Sequence, residues 1–175
     1  MTGTRCARLM TGVTALLLII GLTLAITPDR ADAATSCYWY SGQIGNTSNC
    51  DGLYKHQTTC ASTAWIVYSR QLRRIGNGPY LNVWVQLWYS DACDTVWAVI
   101  PANGYPATSG NTGCKTWIVR NSDGQWYREP VDPGIDFAYT KMLYDQTQGG
   151  ITVTSYAEAE CDDGIYVYRA TTPSW

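Results

Sequence analysis

The chain has 175 residues, with 7 Cys, 8 Trp, 13 Tyr and a single His. This length predicts one domain with, at most, a removable end. Charged residues make up 15% of the chain and the formal net charge is −2. That excludes the basic footprint of a nucleic-acid binder, and one histidine excludes any two-histidine metal site.

Residues 1–33 read as a secretory signal peptide. Arg5 and Arg8 give a positive start, an apolar run extends from Leu9 to Ile26, and Pro28 leads to the small-residue triplet Ala31-Asp32-Ala33. Cleavage is expected after Ala33, leaving 34–175 as a single secreted β-rich domain. The competing reading is an uncleaved anchor, since the apolar run nearly reaches spanning length. No second run of that kind follows, so the processed chain is not expected to be integral to a membrane. Processing removes Cys6 and leaves Cys37, Cys50, Cys60, Cys93, Cys114 and Cys161. An even set in an exported chain predicts three disulfides, of unspecified connectivity. Cys50–Cys60 is the favoured pair, because the loop between them is short and rich in polar residues. A zinc site has little support: there is no Cys-x-x-Cys pair, and His56 sits in no ligand spacing. No metal and no cofactor are expected.

Every Trp, Tyr and Phe lies beyond residue 37, whereas aliphatic side chains are sparse there. Heavy aromatic use with low charge argues against disorder. Aromatic packing and disulfides are therefore expected to substitute for an aliphatic core. The hydrophobic period is two. A first strand is expected over Ile66–Leu72, then a turn at Gly76-Asn77-Gly78-Pro79. The clearest strand runs from Tyr80 to Tyr89, with Leu81, Val83, Val85, Leu87 and Tyr89 on one face. Thr95–Ile100 is a third strand, halted by Pro101. Residues 101–113 read as a long loop. Lys115–Arg120 and Gln125–Arg128 form a hairpin about Asn121-Ser122-Asp123-Gly124. Phe137–Tyr144, Ile151–Ala159 and Ile165–Ala170 complete the set. The expected class is all-β: a small antiparallel sandwich or barrel of seven to eight short strands, stapled by disulfides.

Several local patterns occur in one order. Cys50-Asp51-Gly52 precedes Cys60-Ala61. Tyr89-Ser90-Asp91-Ala92-Cys93 runs into Trp97-Ala98. Thr140-Lys141-Met142 follows, and a strand ends at Ala159-Glu160-Cys161. This order resembles the actinobacterial family called domain of unknown function 2690, over about residues 50–161. The resemblance implies secretion and a β-rich module, and no activity. The chain departs from the family pattern at Lys55, where relatives usually carry Pro, at Trp88, where they usually carry Arg, and at Asp91, where Pro is common. Cys37 and Cys114 lie outside the shared motifs, which suggests that they pair with each other.

Three groups of residues carry possible chemistry. Glu158 and Glu160 are two apart on a strand and share a face, at a spacing of roughly 6.5–7 Å that overlaps glycosidase carboxylate separations. His56 with Asp51 and Ser62 has the residue types of an acyl-transfer triad, but no Gly-x-Ser-x-Gly turn accompanies them. Glu160, Asp162 and Asp163 offer oxygen ligands for calcium, although Asp-Asp-Gly is ordinary turn chemistry. None is assigned a catalytic or metal role.

The preferred binding surface is the second face of the Tyr80–Tyr89 strand. There Tyr80, Asn82, Trp84, Gln86 and Trp88 interleave flat rings with amides, as a sugar platform requires; otherwise the rings cover a loop or a disulfide. The expected function is a secreted, non-catalytic β-domain at the cell envelope, with a cell-wall polysaccharide or another secreted protein as partner. An envelope hydrolase using paired carboxylates, and an inhibitor presenting the 101–113 loop, are the alternatives.

Overall fold

A computed structural model describes residues 49–101, 113–132, 135–146 and 152–175. The expected signal peptide, Cys37 and most of the 101–113 loop lie outside the described residues. Among the described residues, nine strands form one antiparallel sheet: β1 (Ala64–Arg74), β2 (Tyr80–Ser90), β3 (Thr95–Pro101), β4 (Gly113–Arg120), β5 (Trp126–Pro130), β6 (Phe137–Tyr139), β7 (Leu143–Tyr144), β8 (Ser155–Asp162) and β9 (Val167–Thr171). Their order is β5-β4-β8-β9-β1-β2-β3-β6, with β7 also on β3. The end strands β5 and β6 approach each other, so the sheet curls into a nearly closed barrel.

The alternating pattern of β2 explains which face turns inward. Val83, Val85 and Leu87 are fully buried with Leu72, Val96, Ala98, Ile100, Ile118, Ala157 and Ala159 in the barrel interior. These are aliphatic and small side chains, contrary to the expectation of an aromatic core. A small barrel has room for little more, and successive side chains alternate between its interior and its outer surface. Tyr68, Tyr89, Tyr127 and Tyr168 pack at the margins of that interior.

A second, smaller core lies apart from the barrel interior. It gathers Cys50, Cys60, Cys93, Trp97 and Met142, with Leu53 and Trp88 packed against them. Short 3₁₀ turns at Lys55–Gln57 and Cys60–Thr63 shape the segment that forms it.

Two cysteine expectations are corrected. Cys60 bonds Cys93, not Cys50, and so clips this segment to the β2–β3 turn. Cys114 bonds Cys161 rather than Cys37, because the two are directly opposed on β4 and β8. Cys50 is disulfide-bonded as well.

The single strand expected over Phe137–Tyr144 is two. Thr140 exchanges bonds with Ala98, its N–H reaching the Ala98 carbonyl at 3.0 Å and its Oγ1 accepting the Ala98 N–H at 3.1 Å. Met142 then turns to pair with the loop: its N–H donates to Leu53 O at 2.8 Å, and its carbonyl accepts from Gly52 N–H at 3.1 Å. The interruption between β6 and β7 is therefore the docking point of the 49–63 segment. The last strand begins at Val167 and β8 begins at Ser155, both later than the sequence pattern indicates.

Because Cys60–Cys93 belongs to the second core, the double substitution Cys60→Ser/Cys93→Ser should lower stability by about 2–4 kcal/mol while sparing the barrel. Urea unfolding should show the loss, and far-UV circular dichroism of the folded variant should keep the wild-type β signal.

Candidate functional site

The seam between β5 and β6 holds a cleft of about 300 Å³ lined by Tyr54, His56, Glu129, Asp132, Phe137 and Tyr139, with Pro130, Ile135 and Ala138 completing its wall. Three separate stretches meet there. The 49–63 segment supplies Tyr54 and His56. The end of β5 supplies Glu129, and β6 presents Phe137 and Tyr139 outward while Ala138 faces the barrel interior.

The rings form two columns. Tyr54 stacks on His56 with centroids 5.5 Å apart, and Lys141 Nζ lies 5.6 Å from the Tyr54 centroid. Phe137 stacks on Tyr139 at 5.9 Å, and Lys55 Nζ lies 4.5 Å from the Tyr139 centroid. The columns meet edge to face, since His56 and Tyr139 are inclined at 79°. His56 Nδ1 and Tyr139 Oη are 3.1 Å apart. The Tyr54 hydroxyl donates to both Glu129 carboxylate oxygens at 3.2 Å. Burial, together with the Glu129 charge and hydrogen bond, raises the Tyr54 pKa. Burial lowers that of Lys55. Phe137 is 50% exposed, so the outer end of its column is open to a ligand.

The loop bearing Tyr54 and His56 is anchored through Gly52 and Asp51. Gly52 adopts φ +84°, and a Cβ there would lie 3.0 Å from Tyr127 Oη. Asp51 reaches the fully buried guanidinium of Arg120, with Oδ2 accepting from Nη1 at 2.8 Å, and its Oδ1 accepts the Tyr144 N–H at 2.6 Å. Arg120 also forks onto Asp123 through Nε at 3.0 Å and Nη2 at 2.5 Å, and donates to the Tyr144 carbonyl at 3.0 Å. Burial alone would lower the Arg120 pKa, but Asp123 and Asp51 outweigh it and hold the group charged.

Next to this cluster sits Asp145. Its Oδ1 accepts the Ser155 hydroxyl at 2.9 Å, and its Oδ2 is buried without a hydrogen bond. Burial pushes the Asp145 carboxyl up to about 7, against the opposing pull of Ser155 and Arg120.

The residues singled out from sequence are distributed as follows. Tyr80, Asn82 and Trp84 are exposed on the outer face of β2, as the alternation predicts, with Tyr80 61% and Trp84 38% exposed. Arg73 covers the Tyr80 ring at 5.2 Å. Gln86 and Trp88 share that face but are half-buried, and Trp88 packs against the second core. Trp88 stacks on buried Trp97 at 6.3 Å, donates to Gln86 Oε1 at 3.0 Å and lies under Lys55. Lys55 Nζ lies 6.0 Å from the Trp88 ring centroid.

His56, Asp51 and Ser62 are not brought together. Asp51 is committed to Arg120 and the Tyr144 amide, while the Ser62 hydroxyl bonds the Thr59 carbonyl. Glu158 and Glu160 do share a face, where Arg169 pairs with both and Lys115 pairs with Glu160 at 2.8 Å. Burial raises the Glu160 pKa, but its bonds to Lys115 and Arg169 more than offset this and hold the carboxyl below its usual range. Asp162 and Asp163 accept backbone N–H groups within their own turn. Among the described residues, no group of three or more His, Cys, Asp or Glu converges on a metal position. No helix among them is long and apolar enough to cross a membrane.

Tyr54, Glu129, Asp132, Phe137 and Tyr139 were not singled out from sequence. Phe137 and Tyr139 are two apart on β6, but no local spacing relates them to Tyr54 or Glu129, because strand order brings β5 and β6 to one seam and the 49–63 segment joins them there.

The fold and the site define a disulfide-clipped antiparallel barrel with an aromatic cleft at its seam. A family model described as "Protein of unknown function (DUF2690)" matches residues 48–154, and the chain belongs to that family. No curated protein and no solved structure matches the chain.

Two expected outcomes follow from the anchors. Gly52→Ala should cost about 1–3 kcal/mol, measured by thermal unfolding, because it forces a side chain into the left-handed region and against Tyr127. The Asp145 carboxyl is protonated more readily in the folded than in the unfolded chain, so stability should fall as pH rises from the ordinary aspartate range through about 7. Asp145→Asn should flatten that slope, as read from denaturant midpoints across the range.

Proposed function

We propose that the chain is a secreted, non-catalytic binding module of an actinobacterial cell envelope, and that it holds part of a cell-wall polysaccharide in the seam cleft. The observation that carries this reading is the pairing of open ring faces at His56 and Phe137 with the carboxylates of Glu129 and Asp132 in one cleft. Rings pack against the apolar faces of sugars, and carboxylates accept bonds from sugar hydroxyls. A largely preformed concave site with a few placed polar groups is what a small ligand unit requires. The paired cysteines suit an oxidising compartment outside the cytoplasm. The Tyr80, Asn82 and Trp84 surface is a second place where the same polymer can rest.

One observation favours an envelope hydrolase instead: the cleft also gathers His56, Tyr139 and two carboxylates, the residue types of general acid–base chemistry. Purified cell wall separates the two readings. Cosedimentation without release of soluble fragments is expected for a binding module, whereas release that is lost in Glu129→Gln would establish the hydrolase.

Phe137→Ala and His56→Ala should each weaken polysaccharide binding at least several-fold in isothermal titration calorimetry. Trp84→Ala should do so only if the β2 face contributes. Wild-type affinity in both cleft variants would overturn the assignment.

A further inference from the structure

We propose that Asp145 is a pH-responsive latch on the cleft. Its ionisation sets a third carboxylate against the buried guanidinium of Arg120 and loosens the Asp51 end of the loop that carries Tyr54 and His56. The latch stands on the geometry below; only its effect on ligand binding rests on the cleft being the ligand site.

Asp145 follows β7 directly and is almost fully buried. Its N–H is held by the Asp94 carbonyl at 2.8 Å and its Oδ1 by Ser155 of β8, while Oδ2 makes no hydrogen bond. The charged and titratable groups around it come from every neighbouring element. β4 contributes Arg120, which holds Asp51 from the loop and Asp123 from the β4–β5 turn. β2 contributes Tyr89, whose hydroxyl donates to Asp94 Oδ1 at 2.8 Å, and the β2–β3 turn contributes Asp94 and Asp91. Arg120 is the cation of this group, and two carboxylates already claim it.

With Asp145 neutral, Arg120 is shared by the two carboxylates of Asp51 and Asp123. An anionic Asp145 adds negative charge that the Ser155 hydroxyl and the shared Arg120 offset only in part, in a site that water does not reach, and such a charge is costly. The Asp123 arm resists the competition, since Nε and Nη2 grip it together and the Gln125 N–H adds a third bond. The Nη1 arm is divided between Asp51 and the carbonyl of Tyr144, the residue before Asp145. That arm gives way first. Asp51 sits three residues from Tyr54, and the Tyr144 amide that binds Asp51 Oδ1 is part of the same junction. The raised Asp145 pKa puts the change near neutrality rather than in the ordinary carboxylate range.

The test is hydrogen exchange read by mass spectrometry on the full chain at about pH 6 and about pH 8, corrected for the intrinsic rate, which itself rises with pH. In the wild type, amides 51–54 should lose protection several-fold at the higher pH, while those of Val83, Val85 and Leu87 do not. In Asp145→Asn the loss should vanish. Ser155→Ala removes a bond that stabilises the carboxylate, so it should move the loss to higher pH; this arm decides the matter if Asp145→Asn does not fold. An unchanged wild type, or an equal loss in wild type and Asp145→Asn, overturns the latch. If protection is constant while polysaccharide still binds, the latch is wrong and the cleft stands. If protection changes but nothing binds, the cleft is wrong and the latch stands.

Discussion

The arrangement of this protein depends on a buried guanidinium. Arg120 closes β4 with its side chain fully inside, where removing a charge from water costs several kcal/mol. The cost is offset because nearly every donor is used: Asp123 takes two, while Asp51 and the Tyr144 carbonyl share another nitrogen. Apolar residues of similar volume would fill such a space as well energetically. What they would not do is select one docking position for the 49–63 segment. Arg120 ties together the β4–β5 turn, the β7 junction and the loop that walls the cleft, three stretches far apart in sequence.

The two cores divide the residue types between them. The barrel interior takes Val, Leu, Ile, Ala and the Cys114–Cys161 bridge, since little else fits between strands wound this tightly. Many of the aromatic side chains stand outside that interior, under the disulfide loop, along the seam and on exposed faces. This explains how a chain poor in aliphatics still closes a barrel: the interior is small. It also explains why Trp97 and Trp88 stack beneath a loop instead of filling the centre.

Strand positions were legible because alternation survives wherever one face is buried, as Val83, Val85 and Leu87 show against Asn82 and Trp84. The break at Thr140–Met142 was not, because it arises from bonds to Ala98, Gly52 and Leu53, and no local pattern encodes them. The cysteine pairs failed for the same reason. Cys50 and Cys60 are near in sequence, but Cys60 faces the β2–β3 turn once the segment folds across the sheet. Of the five side chains on the outer β2 face, Tyr80, Asn82 and Trp84 are exposed, whereas Gln86 and Trp88 bond each other and Trp88 stacks on Trp97.

The cleft exists because the barrel does not quite close. A fully paired sheet would set β5 and β6 side by side and leave no concavity; here they end the strand order without pairing. The loop then covers the gap with Tyr54 and His56 instead of a backbone ladder, and its position is set from within by Asp51 and Arg120. The cleft wall and the scaffold anchor thus meet at one segment. Tyr54 and His56 line the cleft, whereas Cys50, Asp51, Gly52 and Cys60 are held by the scaffold. Cys50-Asp51-Gly52 therefore reports how the loop is fastened rather than what the cleft holds.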